Sequence, residues 1–242
     1  MLRVTINRPD KHNPLSRAVL AQLGQFLATA ATDSSLRCVV LIGAGERYFA
    51  AGGDVRDLAA VRTTEETVVM ATAARNVLDA VRHCPVPVVA ALNGDAIGGG
   101  AELAVACDLR VASPSAKIGF IHGKLGISSA WGGGPDLVTL VGPSRALRMI
   151  ARCELVPAPL ALQWGLVDEV ADHGQLEPVL SNFIAPILLQ SRATLRAGKD
   201  QALAWRRGDS FEERRALEQR HFVSTWTSPD HWSAVDRLLQ PK

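Results

Sequence analysis

The sequence predicts an α/β fold with a helical C-terminal extension, and three observations lead there. Apolar, β-branched runs alternate with segments of helical periodicity up to about residue 125. From "GPDLVTLVG" at residue 134 onward the alternation stops and the chain reads as successive helices. Two strand-like runs, "CVVLIG" and "VPVVAAL", are continuously apolar rather than alternating, as strands of a parallel sheet covered on both faces are.

In chain order, "LRVTINRP" is a short alternating strand closed by a proline turn. "LSRAVLAQLGQFLATAATD" spaces its apolar residues as one helical face, with Ser16 as N-cap. "RCVVLIGAG" is a buried strand bounded by glycine. "TTEETVVMATAARNVLDAVRHC" is a long helix that opens on a capping box at Thr63 or Thr64, with Glu66 or Thr67 as its partner. "VPVVAALNG" is a second buried strand, and "DLRVAS" and "AKIGF" are two more. Parallel βαβ units with right-handed crossovers follow from this order. Helix breaks are expected at Gly142-Pro143, Pro157-Pro159, Gly165, Gly208 and Pro229. No repeat of 20–50 residues and no low-complexity linker is visible. An α/β core over 1–190 and a helical region over 191–242 is the expected division.

Composition narrows the function classes. A formal charge of +2 over 242 residues gives no basis for nucleic-acid or membrane attraction. The four cysteines, Cys38, Cys84, Cys107 and Cys153, form no CxxC pair, which argues against zinc and against a disulfide framework. The histidines have no metal-ligand spacing, so no metal site is expected. A reduced compartment fits, and with no apolar signal core in "MLRVTINRPD" the expected location is cytoplasmic.

Two glycine-bearing turns follow buried strands: "GAGERYFAAGGD" from Gly43 and "NGDAIGGGAE" from Asn93. Neither is a dinucleotide fingerprint, because the third glycine position holds Tyr48 in one and Leu103 in the other. Neither is a phosphate loop, since no Lys-Ser or Lys-Thr follows. Glycine allows close approach to the main chain, and amides at a helix start are unpaired and partially positive. The turns could therefore serve close helix–strand packing, or aim two N–H groups at one oxygen as an oxyanion hole. Glu102, three residues beyond the middle glycine of 98–100, favours the second use.

"NRPDKHNPLS", "YFAAGGDV", "LNGDAIGGGAELAVACDLRVAS" and "LGISSAWGGGPDLVTLVG" together resemble, in order and spacing, the crotonase (enoyl-CoA hydratase/isomerase) superfamily over most of the chain. Versions of the last motif without tryptophan are commoner in that family. The resemblance implies a spiral of ββα units, a C-terminal helical region used for trimerisation, and an acyl-CoA thioester substrate. It implies no cofactor beyond the coenzyme A carried by that substrate. It places the two thioester-binding amides at Gly53 and Gly99, with Gly94 and Gly98 serving the turn itself. By the same resemblance Ala51 offers a carbonyl to adenine and residues 53–56 (Gly53, Asp54, Val55, Arg56) line the substrate channel.

Family hydratases use two glutamates. Glu102 fills the first place, and counting four back from Gly126 puts His122 in the second. Histidine can shuttle a proton near neutral pH or hydrogen-bond a substrate carboxylate. With "STWTSP" near the C-terminus, the pattern looks most similar to the ethylmalonyl-CoA decarboxylase branch. That implies a carboxyacyl-CoA decarboxylase with Glu102 or His122 supplying the proton. The alternatives are a hydratase or isomerase in which His122 replaces the second acid, a thioester hydrolase using the same hole, and a non-catalytic acyl-CoA-binding or scaffold member. Asp54 and Asp95 read as turn or cap residues. Trp131 is either acyl-pocket wall or core, and Asp136 has no assignable role. Lys11, Arg206 and Arg207 are candidate contacts for coenzyme A phosphates. A homotrimer or a dimer of trimers is the expected assembly.

Overall fold

A computed structural model of the chain describes residues 1–240. Five strands form a parallel sheet in the order β1 (Leu2–Ile6), β2 (Val39–Gly43), β4 (Val88–Leu92), β6 (Leu109–Ala112) and β9 (Glu169–Val170). A second, four-stranded sheet holds β3 (Tyr48–Ala50), β5 (Asp95–Ile97), β7 (Lys117–Gly119) and β8 (Val156–Pro157), the last antiparallel to β7. Each pass of the chain thus gives one strand to each sheet and then a helix. β2 and β3 lead to α3 (Thr64–Arg82), β4 and β5 to α4 (Gly99–Ala106), and β6 and β7 to α5 (Gly133–Val141). This is the ββα spiral that the resemblance implies.

The larger sheet is covered on both faces. Val39, Leu41, Val88 and Ala90 turn toward the main core with Leu20 and Leu23 of α1 (Arg17–Thr32) and Leu78 of α3. Val40, Ile42, Val89 and Val111 turn the other way, onto Leu180 and Ile184 of α8 (Leu176–Leu188). Double coverage explains why β2 and β4 are apolar at every position. The helix starts behave as expected: Ser16 accepts from the Val19 amide at 3.3 Å, and Thr63 with Glu66 completes a capping box.

Four strands differ from the sequence reading. β3 lies inside the first glycine-bearing stretch, where a turn was expected. β5 lies where the second glycine turn was expected, so Asp95 begins a strand and accepts the Lys117 amide at 2.9 Å. β8 and β9 interrupt the region expected to be wholly helical. Each has only two residues, too few to show a period. Beyond α6 (Pro143–Arg152) and α7 (Ala158–Gln163), the C-terminal part continues through α9 (Arg192–Arg207), α10 (Phe211–Trp226) and α11 (Pro229–Leu239). α9 is tied to the core at the far end of α4, where Arg206 donates to the Ala106 and Cys107 carbonyls at 3.0 Å each. Lys199 forms a buried ion pair with Asp108. Among the described residues no helix is long and apolar enough to cross a membrane.

Candidate active site

The two glycine turns meet between the sheets. The first glycine-bearing stretch spans β3, and its part between β2 and β3 is pinned by two asparagines. Asn13 donates to the Ala44 and Tyr48 carbonyls at 2.9 and 2.8 Å, while Asn93 accepts the Gly43 amide at 2.9 Å and donates to the Gly45 carbonyl at 2.7 Å. The second turn follows β5 and opens α4. Gly98 has φ +55°, and a β-carbon on Gly100 would lie 2.0 Å from the Ala50 carbonyl oxygen, so only glycine lets α4 start against β3. A β-carbon on Gly52 would stand 3.5 Å from the Gly99 nitrogen, and one on Gly98 would stand 3.8 Å from the Gly52 α-carbon. The peptides that carry the Gly53 and Gly99 amides therefore adjoin.

Neither amide donates to a protein acceptor among the described residues. The amides on either side are used: Asp54 donates to the Leu15 carbonyl and Gly98 to the Gly119 carbonyl. Gly99 is also the first residue of α4, where the helix dipole adds positive potential. Two adjoining free amides are suited to a carbonyl oxygen that gains negative charge during a reaction.

Glu102 sits one turn into α4 and is 1% exposed. Its carboxyl accepts the Trp131 amide at 3.1 Å, and a β-carbon on Gly133 would press within 2.6 Å of its Cβ and Cγ. The glycines after Trp131 thus bring the start of α5 against this acid. Burial pushes the Glu102 carboxyl up to about 7, against the opposing pull of the Trp131 amide and the Arg82 charge. A carboxyl poised there can give or take a proton near neutral pH.

His122 heads a short 3-10 helix (His122–Leu125) after β7 and is half-buried. Its Nε2 lies 3.9 Å from where a Gly98 β-carbon would be, and its ring centre is 5.9 Å from that of Phe120. Burial holds its pKa below the ordinary 6.5, so the ring is neutral at pH 7. Glu102 and His122 thus flank the second glycine turn from different elements.

Trp131 is buried, and its indole packs against both amide-bearing residues. Its Cη2 stands 3.5 Å from a Gly53 β-carbon position and its Cζ3 2.3 Å from that of Gly99. The same indole walls an apolar cavity of about 160 Å³, with Leu20, Leu58, Met70, Ala74 and Val77 among its other lining residues. Trp131 thus packs in the core and also borders this cavity.

The remaining sequence candidates divide. Asp54 caps α2 (Val55–Leu58) and pairs with Arg8 at 2.8 Å, so its carboxylate is committed to the turn and sits below the usual carboxylate range because of Arg8. Val55 and Arg56 are exposed beside Gly53, and the Ala51 amide donates to the His12 carbonyl at 3.1 Å. Lys11 is exposed. Arg206 is spent on the end of α4, as described above, and Arg207 pairs with Asp209. Asp136, without a role in the sequence, binds the buried Arg82 guanidinium at 2.8 and 2.9 Å. Asn13, Asn93 and Arg82 escaped the sequence reading. The two asparagines flank turns in "HNPL" and "LNG", which is a usable signal, whereas Arg82 resembles any basic residue in a last helical turn.

The sequence profile of the enoyl-CoA hydratase/isomerase family matches residues 1–237. The chain is 33% identical over 247 aligned residues to 2,3-dehydroadipyl-CoA hydratase of Escherichia coli, covering 100% of this chain and 93% of that protein. It is 28% identical over 226 residues to ethylmalonyl-CoA decarboxylase of Xenopus laevis, covering 92% of this chain and 75% of the other. Its structure superposes on an enoyl-CoA hydratase from Bacillus anthracis with a TM-score of 0.92 at 29% identity, over 98% of this chain and 91% of that one. The chain belongs to the enoyl-CoA hydratase/isomerase family and has the crotonase fold.

Proposed function

We propose that the protein is a lyase that holds an acyl-CoA thioester oxygen between the Gly53 and Gly99 amides and decarboxylates a carboxyacyl-CoA of the ethylmalonyl or methylmalonyl type. The observation that carries this choice is His122, a neutral, half-buried ring beside the second glycine turn where a family hydratase has its second glutamate. An ionised carboxylate there would repel a substrate carboxylate, whereas a neutral imidazole can donate a hydrogen bond to it.

In this reading the bond between the α-carbon and the carboxylate breaks, carbon dioxide leaves, and the electron pair moves into the thioester as an enolate. The two amides stabilise the enolate oxygen, an effect for which loss of one donor typically costs about 3 kcal/mol. Glu102 is protonated over much of the neutral range and delivers its proton to the α-carbon. Solvent then reprotonates the carboxylate.

Trp131 packs the acyl group, and Ala51, Asp54, Val55 and Arg56 border the entry for coenzyme A. No further cofactor takes part. Residues 191–242 form the trimerisation region of a homotrimer or dimer of trimers, a reading supported by exposed Phe211, Phe222, Trp226 and Trp232 on α10 and α11. The protein works in the cytoplasm.

A second reading is enoyl-CoA hydration or isomerisation with His122 as the partner base, favoured by the hydratase names among the relatives. Purified protein incubated separately with ethylmalonyl-CoA, methylmalonyl-CoA and crotonyl-CoA separates the two. Release of carbon dioxide from the first pair supports the decarboxylase. Hydration of crotonyl-CoA without such release replaces it with the second reading. A Glu102→Gln variant that binds acyl-CoA normally but turns over no thioester separates catalysis from mere binding, whereas wild-type protein that binds acyl-CoA and turns none over sinks both readings and leaves a binding or scaffold role.

A further inference from the structure

Beneath Glu102 lies a buried cation that neither reading uses. Arg82 ends α3, and its side chain is only 9% exposed, unlike the usual solvated arginine at a helix end. Each nitrogen of its guanidinium donates: Nη1 to Asp79 at 2.7 Å, and Nε and Nη2 both to Oδ2 of Asp136 at 2.9 and 2.8 Å. Nη2 also reaches the Trp131 carbonyl at 3.5 Å, and a β-carbon on Gly132 would lie 3.0 Å from it. The same three residues, 131–133, carry Glu102 on their other side through the Trp131 amide and the close approach of Gly133. One short turn is therefore gripped by an ion pair from α3 and α5 and in turn grips the acid of α4.

We propose that the Arg82–Asp136 pair is a positioning device for Glu102, fixing the 131–133 turn so that the carboxyl points at the α-carbon of the bound thioester. The proposal rests on the enolate reading above and adds residues that act only through Glu102. The planar fork of arginine suits it, because it fixes direction where a lysine would supply only a point charge. A buried ion pair is a weak source of stability compared with apolar packing, so its presence here calls for a geometric reason. The charged groups around Glu102 are Arg82 and Asp79 from α3 and Asp136 from α5, with neutral His122 across the glycine turn. Arg82 favours the ionised acid and Asp136 opposes it.

The test uses Asp136→Asn, Arg82→Gln and the apolar double variant Arg82→Met/Asp136→Leu in the full-length protein. Two readouts are taken: kcat and KM on the accepted thioester, and the Glu102 carboxyl titration by ¹³C NMR without substrate, assigned with Glu102→Gln. Asp136→Asn is expected to lower the titration midpoint and Arg82→Gln to raise it, opposite signs that a general loosening would not produce. The double variant is expected to keep its fold even where a single one does not, because apolar residues replace both buried charges. It is expected to lose about 100-fold in kcat, as a misplacement near 1 Å does, with KM changed less than about threefold. A folded double variant with wild-type kcat, or single variants that move the midpoint in the same direction, overturns the proposal. A wild-type protein that turns over no thioester defeats the enolate reading instead, and the titration alone then decides whether the pair controls Glu102.

Discussion

A β-carbon on Gly99 would lie 2.3 Å from Cζ3 of the Trp131 indole, closer than any real carbon contact. The residue that supplies one candidate oxyanion amide is thus glycine because of the ring packed on it. Gly99→Ala should force the ring or the turn aside and lower kcat/KM by at least about 100-fold, the loss typical of one donor. Trp131→Ala in the same chain should recover thermal stability lost by Gly99→Ala, a coupling measurable as a double-mutant cycle in unfolding midpoints. Additive losses would mean that the two residues do not share this contact.

The raised pKa of Glu102 also sets a pH dependence of stability. In the folded state its proton is held up to about pH 7, against a value of 4.5 when exposed. The folded form therefore binds the proton more tightly, so this contribution is fully present below pH 4.5 and is lost as pH rises through about 7. The difference is worth about 3 kcal/mol. Glu102→Gln cannot ionise and keeps an acceptor for the Trp131 amide. Its unfolding midpoint should match wild type near pH 4.5 and exceed it increasingly toward pH 8, by chemical denaturation at each pH. A constant difference across that range would contradict the burial of an ionisable acid.

Much of this was legible in the residues, for identifiable reasons. Strands β2, β4 and β6 announced themselves because both faces of their sheet are covered. The spiral itself was not visible as a repeat, since its passes begin at Val39, Val88 and Leu109 and the long α3 falls within only one of them. β8 and β9 were hidden by their two-residue length. At the site, Gly99 and Glu102 share one helical turn and could be found by counting. The Arg82–Asp136 pair joins residues 54 apart on different helices, and no local spacing reports such a contact.

The proposed role of His122 in setting the reaction type can be tested by substitution. His122→Glu would place a second, half-buried carboxyl beside the second glycine turn, the two-acid arrangement against which the proposed function is set. Carbon dioxide release from ethylmalonyl-CoA should fall by at least about tenfold, because an ionised neighbour repels the substrate carboxylate. Hydration of crotonyl-CoA should rise over wild type. Both rates are read on the same preparation, and an unchanged ratio between them would remove His122 from the explanation of reaction type.

The opposite end of α4 has its own anchor. Lys199 on α9 forms a buried ion pair with Asp108, donates to the Val81 carbonyl at 3.2 Å, and shares Asp108 with the Val88 amide at 2.8 Å. Lys199→Met removes the cation and leaves Asp108 partly buried with one remaining partner. Breaking a buried pair from one side costs about 3 kcal/mol or more, which for a chain of this size lowers the melting temperature by roughly 6–12 °C. Because Arg206 holds the same helix end through the Ala106 and Cys107 carbonyls, Lys199→Met combined with Arg206→Met should release α9 from the core. Hydrogen exchange in α9 should then accelerate well before the central strands respond. Protection lost equally in α9 and β4 would instead mean that the C-terminal helices and the sheet unfold as one unit.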